Sequence, residues 1–470
     1  MGDKRRGAPS AGRRPDRNFA GSKLGKILSD NKYADYGARY AFGEIRSVGD
    51  YQKKVPLTVY EDYAPYIERI LNKEPDVLTR EPVTLLEPTS GSSSARKLIP
   101  YTRGLQREFS SAIYKWLWDI NRNFPRLKYG RFYFSITPQN GMTGSPQNCL
   151  TGSPQNGLTG SPQNGLTGFN ADDEYIGGIL GKFISGRFCV PKSVKSITDM
   201  DLFWETTIEY IKKAADLRLV SIWNPTFLLL MLEKAGMRAK DLFPDLEFIS
   251  CWADGNSAQY AARLQKAFPG VYIQPKGLLA TEGVMTIPIE GLGKRLTDSH
   301  FFEFIDGNGD IRLVNQLDAG REYEIVLTTS GGLYRYRIGD VVRYNGNSCF
   351  DFVGKAGNVS DYFGEKLNEA HVRGVISDVV PGGGFSLLVP EADRYALYTE
   401  SDVSAGAIDA ALRENFHYDY CRRLGQLKEA RVVVIKNGAG QYIDNCVKFG
   451  MRLGDIKPAC LSNRRGWAFK

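Results

Sequence analysis

A run of hydroxyls ending in a lysine, a hydroxyl beside a carboxylate, and an aspartate behind a glycine carry the chemistry legible in this chain. They are Glu87-Pro-Thr-Ser-Gly-Ser-Ser-Ser-Ala-Arg-Lys97, Leu279-Ala-Thr-Glu-Gly283 and Tyr334-Arg-Tyr-Arg-Ile-Gly-Asp340. In the first, Thr89, Ser90, Ser92, Ser93 and Ser94 surround Gly91, so side chains and backbone N–H groups can both point at polyphosphate, with Lys97 adding charge. It is not a Walker loop, because the GxxxxGK[ST] spacing is missing. In the second, Thr281 and Glu282 suit a phosphate oxygen and its magnesium; in the third, Asp340 suits ribose hydroxyls. Taken singly, each has a plain alternative: a Ser-rich solvent turn, a strand-end surface pair, a turn aspartate.

The surrounding chain must position these residues. From Leu24 to about Ile70 the pattern is helical, and Leu105–Ile120 puts Phe109, Ile113, Trp116, Leu117 and Ile120 on one face. Between 201 and 290 strands alternate with helices. Leu217–Trp223 reads as a buried strand, Asn224 as an N-cap and Pro225 as the first residue of a helix running to Ala235. Leu246–Trp252 reads as a second strand, and a third opens at Gly270 and is expected to end near Thr281-Glu282. Such alternation implies a parallel sheet, whose ligand lies beyond the carboxyl ends of its strands. After His300 the texture becomes antiparallel, with a hairpin signal at Asp306-Gly-Asn-Gly-Asp310. From about residue 354 a smaller α+β unit follows.

Composition narrows the class. Of 470 residues 42% are hydrophobic and 24% charged, which fits a folded enzyme of several domains and not a disordered chain. Lys4, Arg5, Arg6, Arg13, Arg14, Arg17, Lys23 and Lys26 face only Asp3 and Asp16, so most of the +8 formal charge sits in a tail. The near-neutral body gives no reason to expect a nucleic-acid partner. The longest apolar stretch, Leu219 to Leu232, is broken by Asn224 and Pro225 and is too short to span a bilayer, so no membrane partner is expected. Seven cysteines without CxxC spacing read as reduced thiols of a cytoplasmic protein with no zinc site. His300, His371 and His417 lack ligand spacing and read as structural or surface residues. Thr143–Leu150 recurs as Thr151–Leu158 and Thr159–Leu166, a Gly/Ser/Pro/Asn-rich octapeptide repeat that reads as an expanded surface loop over 135–168.

The wording of the segments goes further than their chemistry. Leu217–Leu230, Ile249–Ser257, Gly277–Gly283, Tyr334–Val342, Phe363–Glu369, Glu414–His417 and Gly454-Asp-Ile-Lys-Pro458 closely resemble the bacterial branch of the auxin-responsive (Gretchen Hagen) acyl-acid amido synthetases. That resemblance covers nearly the whole chain from Leu24. It implies the adenylate-forming, firefly-luciferase-like α/β fold: a large N-terminal domain of parallel αβ sheets plus a β-rich subdomain, and a small mobile α+β C-terminal domain. The expected division is a basic disordered tail over 1–23, an ATP- and acyl-acid-binding domain over 24–353 and a lid over 354–470. By the same resemblance Ser90, Gly91, Ser92, Ser93, Ser94 and Lys97 match the phosphate loop. Thr281 matches the α-phosphate contact, Glu282 the magnesium ligand, Asp340 the ribose contact, and Lys457 the lysine that reaches the α-phosphate. Leu278 stands where many relatives carry an adenine-stacking tyrosine. The implied activity is ATP-dependent adenylation of a small carboxylic acid, then transfer to an amine such as an amino acid. A thiol acceptor such as coenzyme A, or an inactive nucleotide-binding scaffold, are the alternatives.

Overall fold

The computed structural model describes residues 19–89, 97–134, 186–197, 199–356, 359–360, 362, 365–423, 425–451, 453 and 456–470. The basic residues up to Asn18, the serines and glycine of 90–94 and the repeat at 135–168 lie outside the described residues.

The chain opens with α1 (Lys23–Asn31), α2 (Asp35–Arg39), α3 (Val48–Lys54) and α4 (Tyr60–Leu71). The tail expected to end at residue 23 reaches the folded body sooner. Phe19 is buried, the Ser22 hydroxyl caps α1 by accepting from the Gly25 N–H, and Lys23 pairs with Glu108. An N-cap hydroxyl and one apolar anchor suffice to order a short lead-in. The antiparallel pair β1 (Val83–Pro88) and β2 (Leu98–Thr102) comes next, and between them the Thr89 N–H donates to the Lys97 carbonyl at 2.8 Å. Thr102 then caps α5 (Arg103–Asn123), which buries Leu105, Phe109, Ala112, Trp116 and Ile120 at helical spacing.

Four parallel strands follow in spatial order: β3 (Arg131–Phe134), β4 (Leu217–Ser221), β5 (Phe248–Cys251) and β6 (Tyr272–Pro275). Helices α6 (Met200–Lys212), α7 (Pro225–Ala235), α8 (Ala239–Leu242) and α9 (Ala258–Ala267) belong to the connections. All four side chains of β5 are buried, and Phe248 and Ile249 each contribute about 1.5–3 kcal/mol. Asn224 caps α7 and Pro225 opens it, as expected.

The third parallel strand is shorter than expected. β6 stops at Pro275, and the chain bends at Gly277, where a Cβ would lie 2.0 Å from the Thr286 carbonyl oxygen. Thr281-Glu282 therefore forms the turn of a separate antiparallel hairpin, β7 (Leu279–Ala280) with β8 (Gly283–Val284), not the end of the parallel strand. A proline that cannot donate and a glycine under a neighbouring backbone end the ladder there.

The hairpin β9 (Thr286–Ile289) and β10 (Gly293–Leu296) leads into a five-stranded antiparallel sheet. Its strands are β11 (Phe301–Ile305), β12 (Ile311–Arg312), β13 (Glu322–Thr328), β14 (Tyr336–Tyr344) and β15 (Phe350–Lys355), ordered β12-β11-β13-β14-β15. The C-terminal part holds β16 (Val359–Ser360), β17 (Leu367–Asn368) and α10 (Glu369–Val379). It continues with β18 (Ser386–Pro390), β19 (Tyr395–Thr399), α11 (Ala405–Leu412), α12 (Phe416–Arg423), β20 (Arg431–Val434) and α13 (Gly438–Lys448). Its three-stranded sheet pairs β18 with β19 antiparallel and β19 with β20 parallel. Phe385, Leu387, Tyr442, Ile443 and Ile456 share one buried cluster with Val220, Ile222, Phe227 and Leu228, so this part is seated against the parallel-sheet region. The fold is α/β, with a large body and a smaller α+β part.

Candidate active site

Two walls carry the candidate residues. The first is the antiparallel ladder with the β7–β8 turn. Asp340 and Lys355 are cross-strand partners on β14 and β15, and the Lys355 Nζ lies 2.7 Å from Asp340 Oδ1. The Lys355 Nζ also donates to the Ile338 carbonyl at 3.2 Å. Glu282 is 8% exposed, and burial pushes its carboxyl above the usual range, with Lys355 and Lys97 opposing the shift. Burial alone would lower the Lys355 ammonium, but Asp340 and Glu282 together outweigh it and hold it above the ordinary lysine value. The stem of Lys355 is about half exposed, so water screens part of that field. The Thr281 carbonyl accepts from the Tyr101 hydroxyl at 2.6 Å, tying the turn to β2. Lys97 sits with its ammonium 5.5 Å from the Tyr60 ring centre.

The rest of the Tyr334–Asp340 segment is structural. Arg335 is buried, paired with Glu303 and donating to the Gln52 and Val55 carbonyls, while the Tyr334 hydroxyl donates to the Leu78 carbonyl. The Arg335 bonds moor α3 to the sheet, and α4 is moored by the Tyr63 hydroxyl, which donates to the Tyr334 carbonyl at 3.0 Å. In this segment only Asp340 joins the charged cluster.

The second wall is at the carboxyl ends of the parallel strands. Trp223 follows β4, Trp252 follows β5 and Lys276 follows β6; the two tryptophan rings lie 5.7 Å apart. The Lys276 ammonium donates to the Ser221 hydroxyl at 2.7 Å and lies 5.0 Å from the Trp223 ring and 5.6 Å from the Trp116 ring. Lys457 arrives from the C-terminal part, its ammonium 5.0 Å from the Trp252 ring centre. Its loop is held by the Tyr442 hydroxyl donating to the Lys457 carbonyl and by the Asn224 side-chain amide donating to the Ile456 carbonyl. The walls join where Asp254, just after β5, accepts the Phe352 N–H of β15 and pairs with Lys294.

Glu282, Asp340 and Lys97 thus come to one charged cluster, Thr281 stands beside it, and Lys457 takes the other wall. Sequence reading missed Lys355 and Lys276; it put Trp223 and Trp252 at the carboxyl ends of the parallel strands but gave them no role. The pairing of Lys355 with Asp340 is a matter of register, which no local pattern displays. The placement of Lys276 was open to inference, because it directly follows a parallel strand.

An α/β body with a parallel sheet, a charged antiparallel wall and a C-terminal part delivering a lysine defines an adenylate-forming enzyme. Comparison with known proteins narrows this. Family profiles match in three blocks: the GH3 family N-terminal domain over 19–175, its central domain over 295–355 and its C-terminal domain over 383–466. The chain belongs to the GH3 family, and its activity is that of an ATP-dependent acid–amino acid ligase working through an acyl-adenylate. The indole-3-acetic acid-amido synthetase GH3.10 of Arabidopsis thaliana is 24% identical over 94% of this chain and 92% of its own length. The jasmonoyl–L-amino acid synthetase JAR6 of Nicotiana attenuata is 23% identical over 69% of this chain and 66% of its own. Among solved structures, the acyl acid amido synthetase AtGH3.15 in complex with 2,4-DB superposes with a TM-score of 0.76 at 17% identity, covering 95% of this chain and 92% of that one. No helix among the described residues is long and apolar enough to cross a membrane.

Proposed function

We propose that the charged wall holds the nucleotide and that the tryptophan-lined wall receives the acid. One carboxylate oxygen of the acid attacks the α-phosphorus of ATP, the bond to the bridging oxygen breaks, and pyrophosphate leaves. The amine nitrogen of an amino acid then attacks the acyl carbonyl; the C–O bond to AMP breaks and the nitrogen loses a proton. Because an anion must approach a polyanion, positioned positive charge supplies most of the first step. Lys457 is the residue we assign to the α-phosphate, and its place on a loop of the lid lets closure deliver that charge. Asp340 is assigned to the ribose, with Lys355 fixing its orientation; Ser90–Ser94 and Lys97 are assigned to the β- and γ-phosphates and Thr281 to the α-phosphate.

Glu282 fits a magnesium ligand. It is a buried carboxylate whose raised proton affinity a divalent cation would offset. Among the described residues no group of three or more His, Cys, Asp or Glu could hold a metal alone. Magnesium carried in on phosphate oxygens and water and completed by one carboxylate matches that donor set. When bound, it supplies charge neutralisation on the polyphosphate. The expected boundary between a body over 24–353 and a lid over 354–470 falls inside β15 (Phe350–Lys355), so we place it just past Lys355, which keeps that strand with its partner β14. The six described cysteines are free thiols, which supports a reducing, cytoplasmic setting.

The observation that carries this reading is the cluster of buried Glu282 and Asp340 with Lys355, beside the wall that receives Lys457. Its test is ATP–pyrophosphate exchange with a panel of indole, benzoic, phenylacetic and fatty acids, then mass spectrometry of products with amino acids or coenzyme A. Acid-dependent exchange and an amide product are expected. Exchange with no acid in the panel, or a thioester as sole product, would sink it.

A further inference from the structure

The turn that carries Glu282 is flanked by two strands of only two residues each, too short to fix it by ladder bonds alone. It is held from behind by side chains. The Val284 N–H donates to His300 Nε2 at 3.0 Å, and the Thr297 hydroxyl donates to the Val284 carbonyl at 2.7 Å. The contact is close, since a Cβ on Gly283 would lie 2.8 Å from the same Nε2. An imidazole nitrogen that accepts carries no proton, so the ring hydrogen is assigned to Nδ1, which faces Glu108 Oε2 at 2.9 Å.

Glu108 is itself fully engaged. It accepts from the Ser330 N–H at 3.2 Å and the Ser330 hydroxyl at 2.5 Å, and it pairs with Lys23 Nζ at 2.6 Å. Burial works against its charge, but the hydrogen bond from His300 together with the charge and hydrogen bond of Lys23 favours the carboxylate, and its carboxyl lies below the usual range. Glu108 is 4% exposed and His300 3%, and the rings of Phe109 and Phe302 stand edge-on to the imidazole at 6.3 and 5.9 Å. A carboxylate buried on the apolar face of α5 costs stability unless every partner is satisfied. Here the partners come from α1, the approach to β11 and the turn after β13, and the chain of bonds ends on a backbone N–H two residues from Glu282.

We propose that His300 is a positioning residue for adenylation: held as one neutral tautomer by Glu108 and Lys23, it sets the place of the Thr281–Glu282–Gly283 turn and hence of the Glu282 carboxylate. The inference rests on the reading of Glu282 as the metal–phosphate ligand. A contact that only stabilised the core predicts equal losses of activity whichever end of the imidazole is kept, whereas a positioning role predicts unequal ones.

The test uses the full chain with His300→Gln, His300→Asn and Glu282→Gln, measuring ATP–pyrophosphate exchange against magnesium–ATP concentration together with melting temperature. Glutamine can place an oxygen near the Nε2 position and keep the Val284 bond; asparagine reaches only the Nδ1 position and keeps the Glu108 contact. Both variants lose the ring, so their melting temperatures should fall alike. The expected result is that His300→Asn loses roughly 10–100-fold in kcat/KM for magnesium–ATP, while His300→Gln recovers most of it. Equal losses in both, or losses that follow melting temperature, would overturn the relay. Wild-type exchange in Glu282→Gln would instead remove the ligand reading beneath it, so the two failures are distinguishable. If neither histidine variant folds, Lys23→Met decides the matter. It removes only the outer ion pair, and the relay requires a rise in the KM for magnesium–ATP of about threefold, on the scale of one exposed-to-buried charge contact. An unchanged KM would overturn it.

Discussion

At the carboxyl ends of the parallel strands the site is aromatic, with Lys276 laid on Trp116 and Trp223 and Lys457 on Trp252. On the antiparallel ladder it is ionic, with Lys355 drawn to Asp340 and Glu282. The two kinds of support differ in how much freedom they leave. Removing one partner from a buried ion pair strands a charge and costs about 3–5 kcal/mol, whereas a cation over a ring contributes about 0.5–2 kcal/mol. Groups whose place must not vary between half-reactions belong on the ladder. A lysine that, on the proposed lid closure, comes and goes belongs on an aromatic face.

The largest effect that would break this contrast is at Glu282. Glu282→Gln should lower pyrophosphate exchange by about 10²–10³, the usual cost of losing one positioned charge in a closed site. Its stability should move the other way. The folded carboxyl titrates above its unfolded value, so the stability gained on protonation is present at low pH and lost as pH rises through the raised value. Above that raised value the ionised side chain is a net burden. The melting temperature of ligand-free Glu282→Gln should therefore equal or exceed that of wild type, and a clear drop would show that the carboxylate is structural. In the wild type, exchange should also decline as pH is lowered through that raised value, and the residual activity of Glu282→Gln should lack this limb.

Lys457→Ala should come next, at about 10² in adenylation. Because Lys457 is exposed and its loop is tied through backbone carbonyls, the melting temperature should stay within a degree or two, on the scale of a surface substitution. Exchange near wild type would remove it from the adenylation step. Lys276→Met tests the acid side of the contrast. The KM for the acid should rise by roughly 2–30-fold, the worth of one cation–ring contact, with the KM for ATP unchanged. Equal shifts in both constants would mean that the two walls do not divide the substrates. Deleting Thr143–Leu166 removes three repeat units, and because loop length enters closure entropy logarithmically, the stability change should stay within about 1 kcal/mol. A loss of soluble protein would contradict the reading of the repeat as an expanded loop.

Much of this protein was written locally. The alternation of Leu217–Trp223, Pro225–Ala235 and Leu246–Trp252 announced a parallel sheet, because burial on both faces leaves an apolar run that no amphipathic element has. Asn224-Pro225 announced the start of α7, since capping depends on neighbouring residues alone. Thr281, Glu282 and Asp340 were legible as candidate chemistry, Lys457 entered only through the family resemblance, and the family was legible from the wording around them. Tertiary structure alone decided the rest. It separated Thr281-Glu282 from β6, because Gly277 bends under the Thr286 backbone, a contact nine residues away in sequence that no turn pattern shows. It folded Phe19–Lys23 into the body, because the partner of Lys23 is Glu108, far along the chain. It turned most of the Tyr334–Asp340 segment into a mooring for the N-terminal helices and recruited Lys355 by register. It also made His300, one of three histidines with no sequence signature, the support of the Glu282 turn. Local order follows from residues that touch along the chain, while the electrostatics of a site follow from residues that only the fold makes neighbours.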